Sequence, residues 1–119
     1  PKPAMAGLPH SATKDAILMR YNDPEAVLEA VKKYGHELAA ILVEPIQGAA
    51  GMIPAEPEFI ETIRKETERF GIVMICDEVI SLRQAVGGAQ AFMGVTPDIT
   101  TMAKIIGGGF PIGAVGGKN

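Results

Sequence analysis

The chain of 119 residues has no tryptophan, one cysteine, two histidines and six aromatic side chains in all. Each shortage excludes something. Cys76 alone can neither close an internal disulfide nor complete a four-ligand zinc site, so a reducing compartment, the cytoplasm, is the default. His10 and His36 lie far in sequence from the candidate carboxylates described below and share no ligand spacing, so no metal site is expected. His10, among small residues, reads as a surface histidine. Excess positive charge is also missing. Eleven Lys and Arg against fourteen Asp and Glu leave a net charge of −3, with no basic footprint for nucleic acid and no polybasic patch for a membrane. No apolar run approaches the ~20 residues that span a bilayer, and no charged-then-apolar leader opens the sequence.

What remains is globular in composition, 47% apolar and 21% charged, and suits one domain of modest size. Few large side chains serve its core, however, and glycine crowds the stretch from Gly87 to the C-terminus. The chain opens on Pro1-Lys2-Pro3 and stops at Gly116-Gly117-Lys118-Asn119, directly after a strand-like run. Both ends are expected to be cuts through a larger fold, with apolar faces left exposed where other segments would pack.

Residues 1–20 lack periodicity and read as an extended lead-in. Asp23 is a good helix N-cap and Pro24 fits the first helical position. Ala26, Val27, Ala30, Val31 and Tyr34 follow with helical spacing, so a helix is predicted over 24–34, closed by Gly35. A second is predicted over 57–70. Phe59, Ile60, Ile63 and Phe70 make its apolar side, Glu61, Arg64, Lys65, Glu68 and Arg69 its wet side, and Gly71 its stop. The continuous apolar runs 39–44 and 72–77 suit strands buried on both faces. Residues 99–104 and 112–117 are further strand candidates around the glycine turn 107–109. Helix, strand, helix, strand with short connections predicts an α/β fold, a mainly parallel sheet flanked by helices.

In such a sheet, ligands bind beyond the carboxyl ends of the strands. Glu44, Asp77 with Glu78, and Lys104 fall at those ends. Each has a plain reading as a cap, a solvated turn or a surface lysine. Together they place a carboxylate and an amine on one rim, the pair that a Schiff-base cofactor with a protonated ring nitrogen needs. That pairing is not specific on its own. Gly107-Gly108-Gly109 is not a P-loop, because no Gly-Lys-Ser/Thr follows it.

Three motifs in order carry a family resemblance. They are Glu44-Pro45-Ile46-Gln47-Gly48, then Asp77-Glu78-Val79, then Pro97-Asp98-Ile99-Thr100-Thr101-Met102-Ala103-Lys104 with Ile105 to Ala114. They resemble the class III pyridoxal-phosphate aminotransferases, a group that includes omega- and beta-amino-acid transaminases and glutamate-1-semialdehyde aminomutase. The resemblance runs from about Tyr21 to Asn119. It implies that residues 1–119 are a central part of a fold-type I large, cofactor-binding domain, without the second domain, in an enzyme that is a homodimer when complete. The implied cofactor is pyridoxal 5'-phosphate. The implied partners are a small-molecule amino donor and a carbonyl acceptor, with no nucleic acid and no membrane.

Residue by residue, Lys104 resembles the lysine that holds the cofactor as a Schiff base and moves the substrate proton. Asp77 resembles the partner of the pyridine nitrogen, Val79 the apolar residue against one ring face, and Gln47 the glutamine near the phenolic oxygen. Glu78 resembles a residue of structural role. The segment Asp77 to Arg83 is one residue shorter than the common version and is closer to the beta-amino-acid transaminases. Ala49 stands where aminomutases usually carry asparagine, whereas Gly87-Gly88-Ala89-Gln90 with Gly94 to Asp98 is aminomutase-like. The balance leans to a transaminase. The family's phosphate-binding turn, the aromatic that stacks on the cofactor ring and the substrate-carboxylate arginine have no counterpart in these 119 residues, so the isolated chain is expected to be inactive. Two other readings stay open: a non-catalytic remnant serving as an interaction module, and an unrelated α/β domain in which Asp77 and Lys104 are an ion pair.

Overall fold

The computed structural model describes residues 9, 11 and 13–118. Its helices and strands follow the predicted order. Asp23 caps α1 (Pro24–Tyr34), accepting a hydrogen bond from the Ala26 N–H at 3.0 Å, and Pro24 occupies the first turn. Val27 and Val31 are the buried positions of its stripe. Then come β1 (Ala40–Val43), a short antiparallel pair β2 (Ile46–Gln47) and β3 (Ile53–Pro54), α2 (Pro57–Phe70) and β4 (Val73–Asp77). A 3₁₀ turn at Leu82–Gln84, the short helix α3 (Gly88–Phe92), β5 (Ile99–Met102), a second 3₁₀ turn at Lys104–Gly107 and β6 (Ala114–Gly117) complete the chain. The β2–β3 pair, α3 and the 3₁₀ turns were not legible as elements in the sequence. His10 lies outside the described residues.

The sheet order is β1-β4-β5-β6, with β1, β4 and β5 parallel and β6 antiparallel to β5. The mainly parallel α/β fold is therefore present. In register, Val43 lies beside Cys76 and Cys76 beside Thr100. Ile41, Val43, Met74 and Cys76 thus share one face, and with Val27, Val31, Phe59, Ile60 and Ile63 they form the core. Removing a fully buried side chain such as Ile60 or Met74 to alanine costs about 2–5 kcal/mol, so this layer dominates stability.

Three expectations are corrected. The strands are not buried on both faces: Ile41 is 4% exposed but Leu42, pointing the other way, is 61% exposed. Helices α1 and α2 pack on one face, while on the other Leu42 and Val115 are exposed and Val73 and Ile75 only partly covered. Gly35 does not end α1 in a left-handed turn; its φ is −54°. A Cβ there would stand 2.7 Å from the Phe70 ring, so the glycine permits close approach of α1 and α2. Gly71, at φ +67°, is the left-handed stop expected of α2. Finally, Arg64 is not on the wet side. Its side chain is 14% exposed, and Nη1 lies 3.0 Å from Asp98 Oδ2.

Asp98 is a knot at the amino ends of the strands. Oδ2 also accepts the Met74 N–H at 2.9 Å, Oδ1 pairs with Lys118 Nζ at 3.1 Å, and the Asp98 N–H donates to Met74 O at 2.9 Å. The Met74 N–H, with help from Arg64 and Lys118, holds the carboxyl down at about 2, against desolvation that works the other way. A carboxyl whose folded pKa is depressed stabilises the fold above its unfolded pKa and loses that contribution as pH falls toward the folded one. Asp98→Asn is therefore expected to destabilise the protein by about 1–2 kcal/mol at neutral pH, after allowance for partial exposure to water. In urea titrations the gap between the two proteins should close as pH drops from about 4 toward 2. A gap that stays constant across that window would show that the charge is not what Asp98 contributes.

Candidate functional site

Because β1, β4 and β5 are parallel, their carboxyl ends share one rim of the sheet. Asp77 is the last residue of β4 and lies in register with Thr101 of β5; Lys104 follows β5 directly. Beyond β1, Glu44 and Pro45 lead into Gln47 on β2. The structure thus brings Gln47, Asp77, Val79 and Lys104 to the same rim.

Asp77 is half-buried on the sheet face that carries Leu42 and Ile75. Its Oδ1 accepts the Val79 N–H at 3.0 Å, a turn that fixes the carboxylate's orientation, and no protein group among the described residues bonds to Oδ2. Val79 is itself half-buried. The Lys104 side chain is exposed, and among the described residues its amine has no ion pair or hydrogen bond. Asp77 and Lys104 do not pair with each other, which removes the reading that made them a structural salt bridge. Lys104 has φ +46°, in the left-handed region. That conformation costs an L-residue roughly 1–2 kcal/mol. Glycine would sit there without strain.

Two features hold the rim, and of these only a structural role for Glu78 was expected from the sequence. The first is a clasp by Tyr21 and Asn22. The Tyr21 hydroxyl donates to Glu44 O at 2.8 Å and lies 3.3 Å from Pro45 O, while its ring meets Phe59 edge-on at 5.2 Å. Asn22 donates to Pro54 O at 3.0 Å and accepts the Glu56 N–H at 2.9 Å. The two residues grip both ends of the excursion that carries Gln47. Glu44 faces inward to that excursion, accepting the Gly48 N–H at 3.1 Å, so it is a turn cap. A Cβ on Gly48 would stand 1.9 Å from Ile80 Cδ1, so the Gln47 turn and the segment after Asp77 are packed against each other. The Tyr-Asn pair ahead of a helix cap was visible in the sequence, but its partners lie 23–34 residues away.

The second feature is a buried network around Glu78. Its carboxylate accepts the Ser81 hydroxyl and the Gln90 N–H, and Gln90 Oε1 accepts from Thr100 Oγ1 at 3.1 Å. Cys76, one strand position before Asp77, is fully buried, and desolvation with the nearby Glu78 charge pushes its thiol up to about 12. It is a core side chain next to the site. A cavity of about 520 Å³ between α3, β5 and β6 is lined by neither Asp77 nor Lys104.

The donor set fits pyridoxal phosphate. An oriented carboxylate with one oxygen open suits a protonated ring nitrogen, and an unpaired amine on the neighbouring strand end suits a carbonyl. Comparison with known proteins agrees. The family model for class III aminotransferases matches residues 2–119. A glutamate-1-semialdehyde 2,1-aminomutase from Pyrobaculum calidifontis is 50% identical over 118 residues, 98% of this chain and 27% of that protein. An omega-transaminase from Sphaerobacter thermophilus superposes with a TM-score of 0.91 at 46% identity, over 98% of this chain and 26% of its own. A transaminase solved with PLP bound gives 0.89 at 36% identity, over 97% and 27%. The chain spans just over a quarter of the length of these relatives.

The clasp yields a direct test. Burial, with the Glu44 charge beside it, raises the Tyr21 hydroxyl to about 12, so it is a neutral donor throughout the physiological range. Tyr21→Phe keeps the ring on Phe59 but leaves partly buried carbonyls without their donor. It should lower stability by about 1–2 kcal/mol in urea titration. Unchanged stability would mean that the hydroxyl does not hold the turn.

Proposed function

This chain belongs to the class III aminotransferases. On that premise we propose that it is the central part of the cofactor-binding domain of a pyridoxal-phosphate enzyme, a transaminase moving an amino group between a small-molecule amino donor and a keto acid or aldehyde. One observation carries the reading: Asp77 and Lys104 sit on neighbouring parallel strand ends, both available and not paired with each other.

Bound pyridoxal phosphate supplies an exchangeable carbonyl and a ring that takes up electrons from the substrate carbon. The protein's own groups do the rest. Asp77 holds a proton at the ring nitrogen through a charge-assisted hydrogen bond, its carboxylate steadied by the Val79 N–H. The Val79 side chain would rest against one ring face, and Gln47 would lie near the phenolic oxygen. Lys104 Nζ holds the carbonyl end in the resting protein. With the cofactor bound, the same nitrogen would move the proton between the substrate carbon and the cofactor's carbonyl carbon. The exposed position of Lys104, at the start of the 3₁₀ turn that follows β5, gives its side chain the freedom to do both. We assign the cofactor's phosphate to no residue of this chain, and activity to the complete protein, which we read as a cytoplasmic homodimer.

A second reading has its own support, because relatives 44–50% identical are glutamate-1-semialdehyde 2,1-aminomutases. An aminomutase shifts the amino group within one carbon skeleton, whereas a transaminase consumes a separate acceptor. Assay of amino transfer from an amine to an added keto acid separates the two.

In the complete protein, borohydride reduction in the presence of pyridoxal phosphate should leave the pyridoxyl group on Lys104. A label on Lys118 or another lysine would overturn the assignment. Lys104→Ala should abolish turnover while cofactor still binds. Asp77→Ala should keep the cofactor attached but slow turnover by roughly 100-fold or more, the scale of losing one charge-stabilising contact in a reacting site. An Asp77→Ala enzyme with near-normal turnover would remove Asp77 from the mechanism.

A further inference from the structure

Glu78 is fully buried, and no cation among the described residues is paired with it. Every polar atom it has is used. Its N–H donates to Thr101 O at 2.9 Å on β5, and its carbonyl accepts the Leu82 N–H at 3.1 Å. Oε2 accepts the Ser81 hydroxyl, and Oε1 accepts the Gln90 N–H at 2.7 Å. The space around the carboxylate is shaped for it. Gly88 has φ +82°, and a Cβ there would come within 2.5 Å of Oε1. From Gln90 the network continues to Thr100, the β5 residue beside Cys76.

Burying a carboxylate without a cation is unfavourable unless its oxygens are hydrogen-bonded, as both are here. What the carboxylate achieves and an apolar group cannot is a link between three points: the end of β4, the 81–90 segment and, through Gln90, β5. Asp77 and Val79 flank Glu78 in sequence, and the Val79 N–H orients the Asp77 carboxylate. Ile80, from the same turn, packs on Gly48 beside Gln47.

We propose that Glu78 is the positioning residue of this rim: its buried carboxylate ties the 79–90 segment down so that the Val79 N–H holds Asp77 in one orientation opposite the β5 end that carries Lys104. The proposal rests on the reading of Asp77 as the ring-nitrogen partner, and its test has one arm that does not depend on that reading.

The first arm is amide hydrogen exchange on the protein without cofactor. Glu78→Ala should speed exchange at Val79, Leu82 and Gln90 by about tenfold or more while Val31 and Ile63, in the helices, keep their protection. Glu78→Gln, which can still accept the Gln90 N–H, should restore most of it. Ser81→Ala, which removes one tie and leaves the carboxylate in place, should loosen Val79 and Leu82 by a smaller factor if Glu78→Ala does not fold. Unchanged exchange at these amides, or an equal rise at every amide, overturns the proposal.

The second arm is the absorption spectrum of the complete protein loaded with pyridoxal phosphate. Glu78→Ala should move the pH midpoint of the cofactor band in the same direction as Asp77→Asn, by a smaller amount, and Glu78→Gln should return it toward the wild type. If Asp77→Asn moves the midpoint and Glu78→Ala does not, Glu78 holds local structure only and the proposal fails. If Asp77→Asn itself leaves the midpoint unmoved, the reading of Asp77 falls, and the exchange arm alone decides whether Glu78 ties the segment down.

Discussion

β4 is pinned to β5 at both of its ends by a carboxylate residue. At the amino end, Asp98 takes the Met74 N–H on its side chain and gives its own N–H to Met74 O. At the carboxyl end, the Glu78 N–H reaches Thr101 O while its carboxylate collects Ser81 and Gln90. Between the two pins the register admits no slip, since a shift by one residue would send Met74 and Cys76 to the open face and strand both carboxylates. Everything chemical about the rim follows from that register, because it sets where Asp77 ends and where Lys104 begins.

The two faces of the sheet serve different ends. One is a closed core built with α1 and α2. The other, with Leu42 61% and Val115 71% exposed, carries Asp77 on its edge. The candidate site is therefore built on the open side of a rigid layer, with the buried side supplying the stiffness. Cys76 and Asp77, neighbours on one strand, show the division: the first is an inert core thiol and the second an oriented, half-buried carboxylate. Strain is placed sparingly in this frame. Among the described non-glycine residues only Asn22, Met52 and Lys104 have positive φ, and two of those belong to the clasp and the rim.

Much of this was legible from residue order. Asp23-Pro24, the apolar stripes and Gly71 marked the helices because capping and amphipathic spacing are local physics, and the strand ends announced Asp77 and Lys104 because apolar runs stop there. The β2–β3 excursion was not legible. It is held by Tyr21 and Asn22 from before α1, and no local propensity encodes a partner more than 20 residues away. Arg64 shows the same limit. Its helical position placed it in water, and only the packing of α2 beside Asp98 turns it inward.

By itself the sequence determined the periodicities, caps and motif order, and through them the fold class, the family and the candidate site residues. All of these depend on side chains close in the chain or on patterns that survive without coordinates. Only the tertiary structure decided which sheet face is covered and why Gly35 and Gly48 have no side chain. It alone showed that Glu78 is bonded on every polar atom and that Lys104 carries its amine on a strained backbone. Those facts come from close approach between segments distant in sequence, where sterics and hydrogen-bond geometry are settled by the whole fold.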